Sequence, residues 1–343
     1  MALLSLEPWD ETWRRNQHLT AALLRKGAVG SLVFVEPAKF SPGPDATPIH
    51  GVTVHTPRRL LPMRLGGARE VGRRLKAGPL RDIDLLWVND PVVGMHCVSG
   101  TVALYDVTDD WRSADAEPRI VRRLVGAEDR LAQLATTVVC SAVLRGHWRE
   151  RYGVEAYLVK NGVDHAAHQA AVRRRLAGTG PHIGYVGTLH HQRLDEDLLV
   201  SLATDPRIGT LHLVGPDCLA PEVRARLAAL PHLVIHGPVP SSEVPDWMAS
   251  LDVLISPHLV TPFTLSLDAI KAYEYLASGR PVVATPTSGF QHLADRVRLA
   301  GRDTFGDEVS AAALDRAGRG GPPPGSWDER ASEMAAIIAE LVR

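Results

Sequence analysis

Residues 271–286 read KAYEYLASGRPVVATP, and this segment decides the fold class of the chain. Its first part has the composition of a helix that stops at Gly279, a residue type that often ends helices. After Pro281, the run Val282–Thr285 is short and apolar, as in a strand that is buried on both faces of a parallel sheet. A helix that leads directly into such a strand is the repeating unit of a doubly wound α/β domain.

The same alternation of apolar runs and helical patterns continues along the chain, which predicts an α/β fold with parallel sheets. Strands are predicted at Ala2–Leu6, Leu32–Glu36, Gly51–His55, Leu85–Val88, Val102–Asp106, Thr137–Ser141, Ala156–Val159, His182–Thr188, Thr210–Val214, Leu233–His236, Val253–Ser256 and Val282–Thr285. Helices are predicted at Glu11–Lys26, Gly66–Ala77, Arg119–Ala135, Ser141–Arg151, Asp195–Thr204, Pro221–Leu230 and Trp327–Val342.

A chain of 343 residues is long enough for two domains that each bury a core of their own. A polar stretch without strands follows the turn Asn161–Asp164, and Gly318–Gly325, with three consecutive prolines, has the composition of a linker. We therefore predict one domain over residues 1–165, a second over 166–325, and an amphipathic terminal helix over 326–343.

The composition excludes several classes of protein. A net charge of −1 gives no basic field that would recruit nucleic acid. The three cysteines, Cys97, Cys140 and Cys218, lie far apart and lack the C-x-x-C spacing of a metal site. No run approaches the ~20 apolar residues of a membrane helix, and the N-terminus lacks the pattern of a secretion signal. These features predict a cytoplasmic location.

The segment 271–286 resembles the donor-binding segment of the retaining GT-B glycosyltransferases of the group-1 (family 4) class, usually written E-A-L/M-A-x-G-x-P-V-V-A. It is similar to the teichuronic-acid-glycosyltransferase-like branch, which reads K-x-Y-E-Y-L-A-x-G-x-P-V-V. The resemblance implies two Rossmann-like parallel-sheet domains that face a central cleft. The first domain would bind the acceptor and the second the donor, and the terminal helix would cross back to the first domain.

The resemblance also implies the reaction. It is the transfer of a sugar from a nucleotide-diphosphate-sugar donor to an acceptor hydroxyl, with retention and without a metal or other cofactor. The acceptor can be a polysaccharide, a lipid-linked intermediate or a small molecule. A GT-B epimerase and a glycogen-phosphorylase-like enzyme are alternatives. The modest length and the absence of a lysine-bearing cofactor signature count against the phosphorylase.

Glu274 is the first candidate site residue. Glu274 takes the position of the glutamate in the family motif. The resemblance therefore implies that its carboxylate binds the ribose hydroxyls of the donor, as acidic residues do in dinucleotide sites. A surface glutamate paired with Lys271, which we also expect at the donor, is the alternative. The family usually has a second glutamate where this chain has Ser266. Backbone amides at Phe263–Leu265, near an expected helix start, would then contact the sugar or phosphate instead, and we assign Phe263 and Thr264 to the donor site.

The segment around Gly187 resembles the family pattern G-R-L-x-x-x-K-G, in which the Arg and Lys neutralise the leaving diphosphate. In that alignment Arg193 takes the lysine position, and Thr188 stands where the arginine is expected. We expect Gly187, Thr188 and Arg193 to bind the diphosphate, and Arg193 to act in catalysis. His190 or His191 would supply the missing donor.

The loop after the predicted strand Leu233–His236 borders the nucleobase in the resembling enzymes. We therefore assign His236, Gly237 and Val239 to the donor site. Contacts of this kind run through the backbone, so the side chains do not reveal which base is bound.

In the first half, residues 104–111 read LYDVTDDW, similar to the Y-D-x-x-D-D-W of the same branch. We expect Asp109 to act as a base toward the acceptor hydroxyl or to orient it, with Asp110 also on the acceptor side. A helix cap or turn is the alternative for both, and a Mg²⁺ site is a reading that the resemblance does not require. Arg15 and His18 are further candidates on the acceptor side, with a solvated helix face as their alternative.

Residues 58–81 carry eight basic side chains against the single acid Glu70. Such a stretch can contact anionic lipid or a polyanionic acceptor at a membrane surface, or it can be a solvated face.

One alternative is not an enzyme. Because Ser266 and Thr188 depart from the family pattern, the chain could be a catalytically degenerate GT-B protein that binds a nucleotide or a partner without transferring sugar.

Overall fold

The computed structural model describes residues 1–315, 318 and 324–343. The chain forms two compact units, Met1–Lys160 together with Trp327–Arg343, and Asn161–Ser326. The first boundary falls at Lys160, before the expected residue 165, because Val163 N donates to Gly325 O at 3.1 Å within the second unit. The predicted linker Gly318–Gly325 lies mostly outside the described residues.

The first unit contains a seven-stranded parallel sheet in the order β3-β2-β1-β4-β5-β6-β7. Its strands are β1 (Ala2–Leu4), β2 (Leu32–Val35), β3 (Val52–His55), β4 (Leu86–Val88), β5 (Ala103–Val107), β6 (Thr136–Val139) and β7 (Tyr157–Leu158). The central strands β1, β4 and β5 are buried along their whole length, as expected of a sheet covered by helices on both faces.

The second unit contains a six-stranded parallel sheet and a small two-stranded sheet. Their strands are β8 (His182–Val186), β9 (Leu189–His190), β10 (Thr210–Val214), β11 (Asp217–Cys218), β12 (Leu233–Gly237), β13 (Val253–Ser256), β14 (Val282–Ala284) and β15 (Arg298–Leu299). The large sheet has the order β12-β10-β8-β13-β14-β15, so the winding direction reverses between β8 and β13. In open parallel sheets, ligands bind at this reversal, beyond the carboxyl ends of the strands.

Helices connect the strands of both sheets. They are α1 (Arg15–Arg25), α2 (Gly67–Ala77), α3 (Pro91–Gly94), α4 (Pro118–Leu134), α5 (Ala142–Tyr152), α6 (His165–Gln169), α7 (Glu196–Thr204), α8 (Pro221–Ala228), α9 (Val244–Ser250), α10 (Ile270–Ala277), α11 (Ser288–Gln291), α12 (Phe305–Asp315) and α13 (Trp327–Leu341). In the first unit, α2, α3, α4 and α5 share one core with the sheet, and α13 packs against α1.

Every strand predicted from the sequence is present, with ends that differ by one or two residues. The expectation of a helix start near residue 263 is wrong. A hydrogen-bonded turn occupies residues 262–266, in which Leu265 N donates to Thr261 O and Ser266 N to Phe263 O, and α10 begins only at Ile270.

Candidate active site

The candidate site lies where β8 and β13 diverge. Their pairing ends at Gly184 and Leu254, which leaves the carboxyl ends of the two strands apart. Two glycines then bring the backbone of β8 and β10 together, since a Cβ on Gly215 would lie 2.2 Å from Gly187 O. Gly187 itself has φ +146°, in the region that side chains disfavour, and a Cβ there would lie 3.1 Å from Lys271 Nζ. The Lys271 ammonium therefore sits directly against the backbone at the end of β8.

Lys271 is held in a small polar cluster. Its Nζ donates to Tyr185 Oη at 2.5 Å and lies 3.5 Å from His258 Nε2. Tyr185 Oη in turn donates to Thr188 O at 3.0 Å, so the lysine and the turn after β8 are linked through one phenol. Burial, and then the charge of Arg193, lower the pKa of Lys271 to about 7, although Glu274 acts in the opposite direction. No carboxylate of the described residues is close enough to form an ion pair with Lys271.

His258 is a site residue that the sequence analysis missed. It follows β13, and its backbone is fixed by Thr285, whose hydroxyl accepts from His258 N at 3.1 Å and donates to His258 O at 2.7 Å. Burial, together with the charges of Lys271 and Arg193, holds the pKa of His258 well below its usual range. The imidazole is therefore a neutral hydrogen-bonding partner of Lys271. A single histidine after a strand gives no pattern from which this position could be found.

Glu274 lies one turn beyond Lys271 on α10. Burial raises the pKa of Glu274 to about 7, with the charge of Lys271 opposing the shift. Among the described residues, no hydrogen-bond donor reaches its carboxylate. Both carboxylate oxygens are consequently available to a ligand, which is the state that ribose recognition requires.

The two tyrosines beside Glu274 fix α10 to the sheet. Tyr275 Oη accepts from Val186 N at 3.0 Å and donates to Ile255 O at 3.2 Å, so it bridges the strands beyond the end of their pairing. Tyr273 Oη donates to Asp268 Oδ1 at 2.7 Å. Asp268 also accepts from Asn161 N at 2.6 Å, which ties the turn that opens the second unit to the segment before α10. The motif Tyr-Glu-Tyr thus anchors the helix with its outer residues and leaves the central one open.

Arg193 joins this cluster from the loop between β9 and α7. Its carbonyl accepts from Leu259 N at 2.8 Å, so the loop is tied to the segment after β13. Its guanidinium lies 5.0 Å from the ring centroid of Phe263. Because its charge lowers the pKa of both Lys271 and His258, Arg193 acts on the same small volume as these two residues.

Several other residues predicted to contact the donor are bonded to neighbouring groups of the protein. Thr188 contributes its carbonyl, as described above, and His191 pairs with Glu196 at 2.6 Å on the surface. The hydroxyl of Thr264 donates to Leu259 O at 2.7 Å, and that of Ser266 to Phe263 O at 2.7 Å. Both side chains are buried. The expected sugar contacts through amides of a helix start are wrong for Thr264, whose amide donates to Thr261 Oγ1.

His236 lies in a row of histidines across the second sheet. His182 Nδ1 lies 3.0 Å from His212 Nε2, and His212 Nδ1 lies 2.9 Å from His236 Nε2. The ring of His236 also packs against Trp247, with centroids 4.5 Å apart. Its imidazole is therefore part of the sheet.

The backbone after His236 is open to a ligand. Gly237 has φ +76° and open space where a Cβ would be, and its carbonyl accepts from Gly215 N. Val239 is partly buried and packs on the core beside it.

The acceptor-side candidates lie in the first unit. Arg15 is buried and forms a bidentate ion pair with Asp106, with N–O distances of 3.0 and 3.1 Å. Asp110 is buried as well. Burial opposes the shift, but hydrogen bonds from Arg151 and Ser113 lower its pKa. For Arg15 and Asp110 the expected acceptor contact is therefore replaced by a structural ion pair.

His18 and Asp109 are less buried. The ring of His18 stacks on Trp327 at 4.8 Å, which joins α1 to α13. Asp109 is half-buried after β5, and its Oδ2 accepts from Thr108 Oγ1 at 2.9 Å. Its carboxylate is partly exposed beyond the carboxyl end of β5.

Two further observations concern the described residues only. No three His, Cys, Asp or Glu side chains among them are grouped so as to hold a metal ion. None of the helices in this part of the chain is both long and apolar enough to cross a membrane.

Residues 180–311, most of the second unit, match the family described as Glycosyl transferases group 1. TuaH of Bacillus subtilis (strain 168), named as a teichuronic acid biosynthesis glycosyltransferase, is 27% identical, over 80% of this chain and 77% of that protein. A sucrose-phosphate synthase from Thermosynechococcus elongatus superposes with a TM-score of 0.74 at 15% identity, covering 99% and 98% of the two chains. HepE of Anabaena, solved in complex with UDP and glucose, gives 0.69 at 14% identity, covering 98% of each.

The structural likenesses, at such low identity, establish the fold, and they confirm the GT-B architecture that residues 271–286 implied. The family match covers the unit in which Lys271, Arg193 and Glu274 come together. The match to TuaH extends over most of the chain and confirms the resemblance to the teichuronic acid branch. The chain is therefore a glycosyltransferase with a GT-B fold, and its residues 180–311 match the group 1 family.

Proposed function

We propose that the enzyme binds a nucleoside-diphosphate sugar at the end of β8 and transfers the sugar to an acceptor hydroxyl. The observation that carries this proposal is that two cations and one carboxylate without a hydrogen-bond donor among the described residues lie at the reversal of the second sheet. Lys271 and Arg193 offer positive charge where a diphosphate would lie, and Glu274 offers acceptor oxygens for ribose. The complex of HepE with UDP and glucose supports a donor of this class.

Lys271 supplies the cation that the sequence pattern lacks. Thr188 stands where the family pattern has an arginine, but Lys271 Nζ lies against the neighbouring backbone of Gly187. Without a donor, the ammonium is buried without a carboxylate partner, which is why its pKa is only about 7. A bound diphosphate provides the missing negative charge and favours the protonated lysine. We therefore assign Lys271 and Arg193 jointly to the leaving group.

In the chemical step, the two cations stabilise the negative charge of the leaving diphosphate. The bond between the anomeric carbon and the diphosphate oxygen breaks, its electron pair leaves with the diphosphate, and the acceptor oxygen bonds to that carbon. The proton of the acceptor hydroxyl passes to a base, for which Asp109 is the candidate. Fixed positive charge at the leaving diphosphate stabilises the transition state, and interactions of this kind are usually the largest single contribution to catalysis. Because Lys271 and Arg193 are placed for this task, we propose a reaction without a metal ion.

The acceptor side and the stereochemistry complete the proposal. We assign Asp109 to the acceptor hydroxyl, either as the base that takes its proton or as the group that orients it. Asp109 is a partly exposed carboxylate at the carboxyl edge of the first sheet. Retention of the anomeric configuration follows from the family resemblance. The name of TuaH points to a polysaccharide acceptor. We place the enzyme in the cytoplasm, in keeping with the buried free thiols of Cys97 and Cys140.

The alternative, binding without transfer, is favoured by one observation. Ser266 takes the position of the second family glutamate, and its hydroxyl is buried and bonded to Phe263 O. Incubation with UDP-, GDP-, ADP- and TDP-sugars and a bacterial polysaccharide fraction distinguishes the two. Release of nucleoside diphosphate together with a new glycosidic linkage in the NMR spectrum supports transfer. Tight donor binding without release under any of these conditions supports the alternative, and an inverted linkage contradicts retention.

A further inference from the structure

The first unit contains a cavity that the proposed reaction does not use. It has a volume of about 430 Å³ and lies between α2, α3 and α4. Apolar side chains, among them Met63, Val92 and Met95, form part of its wall, and Arg69, Arg122 and Arg123 form another part. Gly126, in the middle of α4, has open space where a Cβ would be, so the helix leaves room for the cavity.

The arginines of the cavity have no anionic partner. Among the described residues, no carboxylate forms an ion pair with Arg69, Arg122 or Arg123. Burial, followed by the charges of Arg130 and Arg69, lowers the pKa of His96 in the cavity wall. The cavity therefore combines an apolar wall with arginines that form no ion pair with a carboxylate of the described residues.

Exposed apolar side chains stand close in sequence to residues that line the cavity. Leu61 and Leu65 flank Met63 and are 45% and 64% exposed, and Ile120 at the start of α4 is 46% exposed. Exposed leucines next to arginines are typical of surfaces that enter the boundary between lipid headgroups and acyl chains. A soluble anion would use the arginines only and would leave these side chains in water.

We propose that this cavity binds the phosphate headgroup of an anionic phospholipid, with Leu61 and Leu65 inserted beside it into the bilayer surface. The apolar wall takes the upper acyl chain, and the arginines take the phosphate charge. The inference does not depend on the proposed sugar transfer, since the cavity lies in the first unit and the donor residues lie in the second.

Flotation with vesicles of phosphatidylcholine, with and without 30% phosphatidylglycerol, tests the proposal at ~0.15 M salt. The wild-type protein should bind the anionic vesicles, and Arg122→Gln/Arg123→Gln should weaken binding by about tenfold or more. Gly126→Leu should do the same by filling the cavity while keeping every charge. Gly146→Leu, at a helical glycine with the same open space, and Arg149→Gln/Arg175→Gln, at two arginines without a carboxylate partner, should bind like the wild type.

Three results would overturn the proposal, provided that thermal melting shows each variant to be folded. The first is a wild-type protein that does not prefer anionic vesicles. The second is a Gly126→Leu variant that binds like the wild type, because surface charge alone would then explain the attraction. The third is soluble polyphosphate that competes as strongly as phosphatidylglycerol at equal phosphate concentration, because the leucines would then contribute nothing.

Discussion

At the scale of single residues, the site depends on two groups that titrate near neutrality. Lys271 has a pKa of about 7 because it is buried beside Arg193, and Glu274 has a pKa of about 7 because it is buried without a donor. The charged form of each residue is the form that binds the donor. The lysine must hold its proton to meet a diphosphate, and the glutamate must lose its proton to accept two ribose hydroxyls.

The affinity for the nucleoside diphosphate should therefore be greatest near pH 7. Above pH 7 the free enzyme loses the Lys271 proton, and binding must take up one proton. Affinity then falls by up to about tenfold per pH unit. Below pH 7, protonation of Glu274 removes the ribose acceptor, so affinity falls again. Calorimetric titration in buffers of different ionisation enthalpy measures both the affinity and the number of protons taken up.

Lys271→Arg is the matched variant for the alkaline side, because a guanidinium stays charged throughout this range. Its affinity should not decline between about pH 7 and 9. If it declines as in the wild type, Lys271 is not the group that titrates.

At the scale of the elements, α10 is positioned by Tyr275, whose hydroxyl bridges β8 and β13 where they separate. Tyr275→Phe removes this bridge and leaves the buried Val186 N–H without its tyrosine partner. The free energy of unfolding should fall by about 1–3 kcal/mol, measured by urea denaturation. Tyr157→Phe, at a half-exposed tyrosine bonded to Glu340, should change it by less than about 0.5 kcal/mol. Equal losses in the two variants would contradict the bridging role.

The histidine row makes the second sheet sensitive to acid. Burial, followed by the neighbouring His236 and His182, lowers the pKa of His212 to about 4 from 6.5. Its neutral form is favoured by folding, so its contribution is complete above pH 6.5 and is lost as the pH falls toward 4. The loss approaches roughly 3 kcal/mol at pH 4.

Urea denaturation from pH 7 to 4 tests this, with the slope of stability against pH as the readout. His212→Leu should flatten the slope whatever it does to the stability at pH 7. His50→Gln, at an exposed histidine, should leave the slope as it is. An unchanged slope in His212→Leu would show that the acid sensitivity arises elsewhere.

At the scale of the whole molecule, the sequence predicts twelve of the fifteen strands among the described residues, because short apolar runs bounded by turns have few other solutions. It misses β9, β11 and β15, which are only two residues long and form no apolar run. Glu274 could be found because a motif surrounds it. The role of Lys271 at Gly187 could not, because the two residues meet only when β8 and α10 pack together. Likewise His258 carries no local pattern. The ion pairs of Arg15 with Asp106 and of Asp110 with Arg151 join residues far apart in sequence, so the sequence does not reveal them.

The central claim is that Lys271, Arg193 and Glu274 together bind a nucleoside diphosphate. The most direct test is calorimetric titration of UDP, GDP, ADP and TDP into the wild type, Lys271→Met, Glu274→Gln and, as a control on the exposed start of α8, Glu222→Gln. We expect one diphosphate to bind, with affinity at least about tenfold weaker in the Lys271 and Glu274 variants and unchanged in the Glu222 variant. Binding that is equal in all four proteins, or absent for every diphosphate in the wild type, would contradict the account.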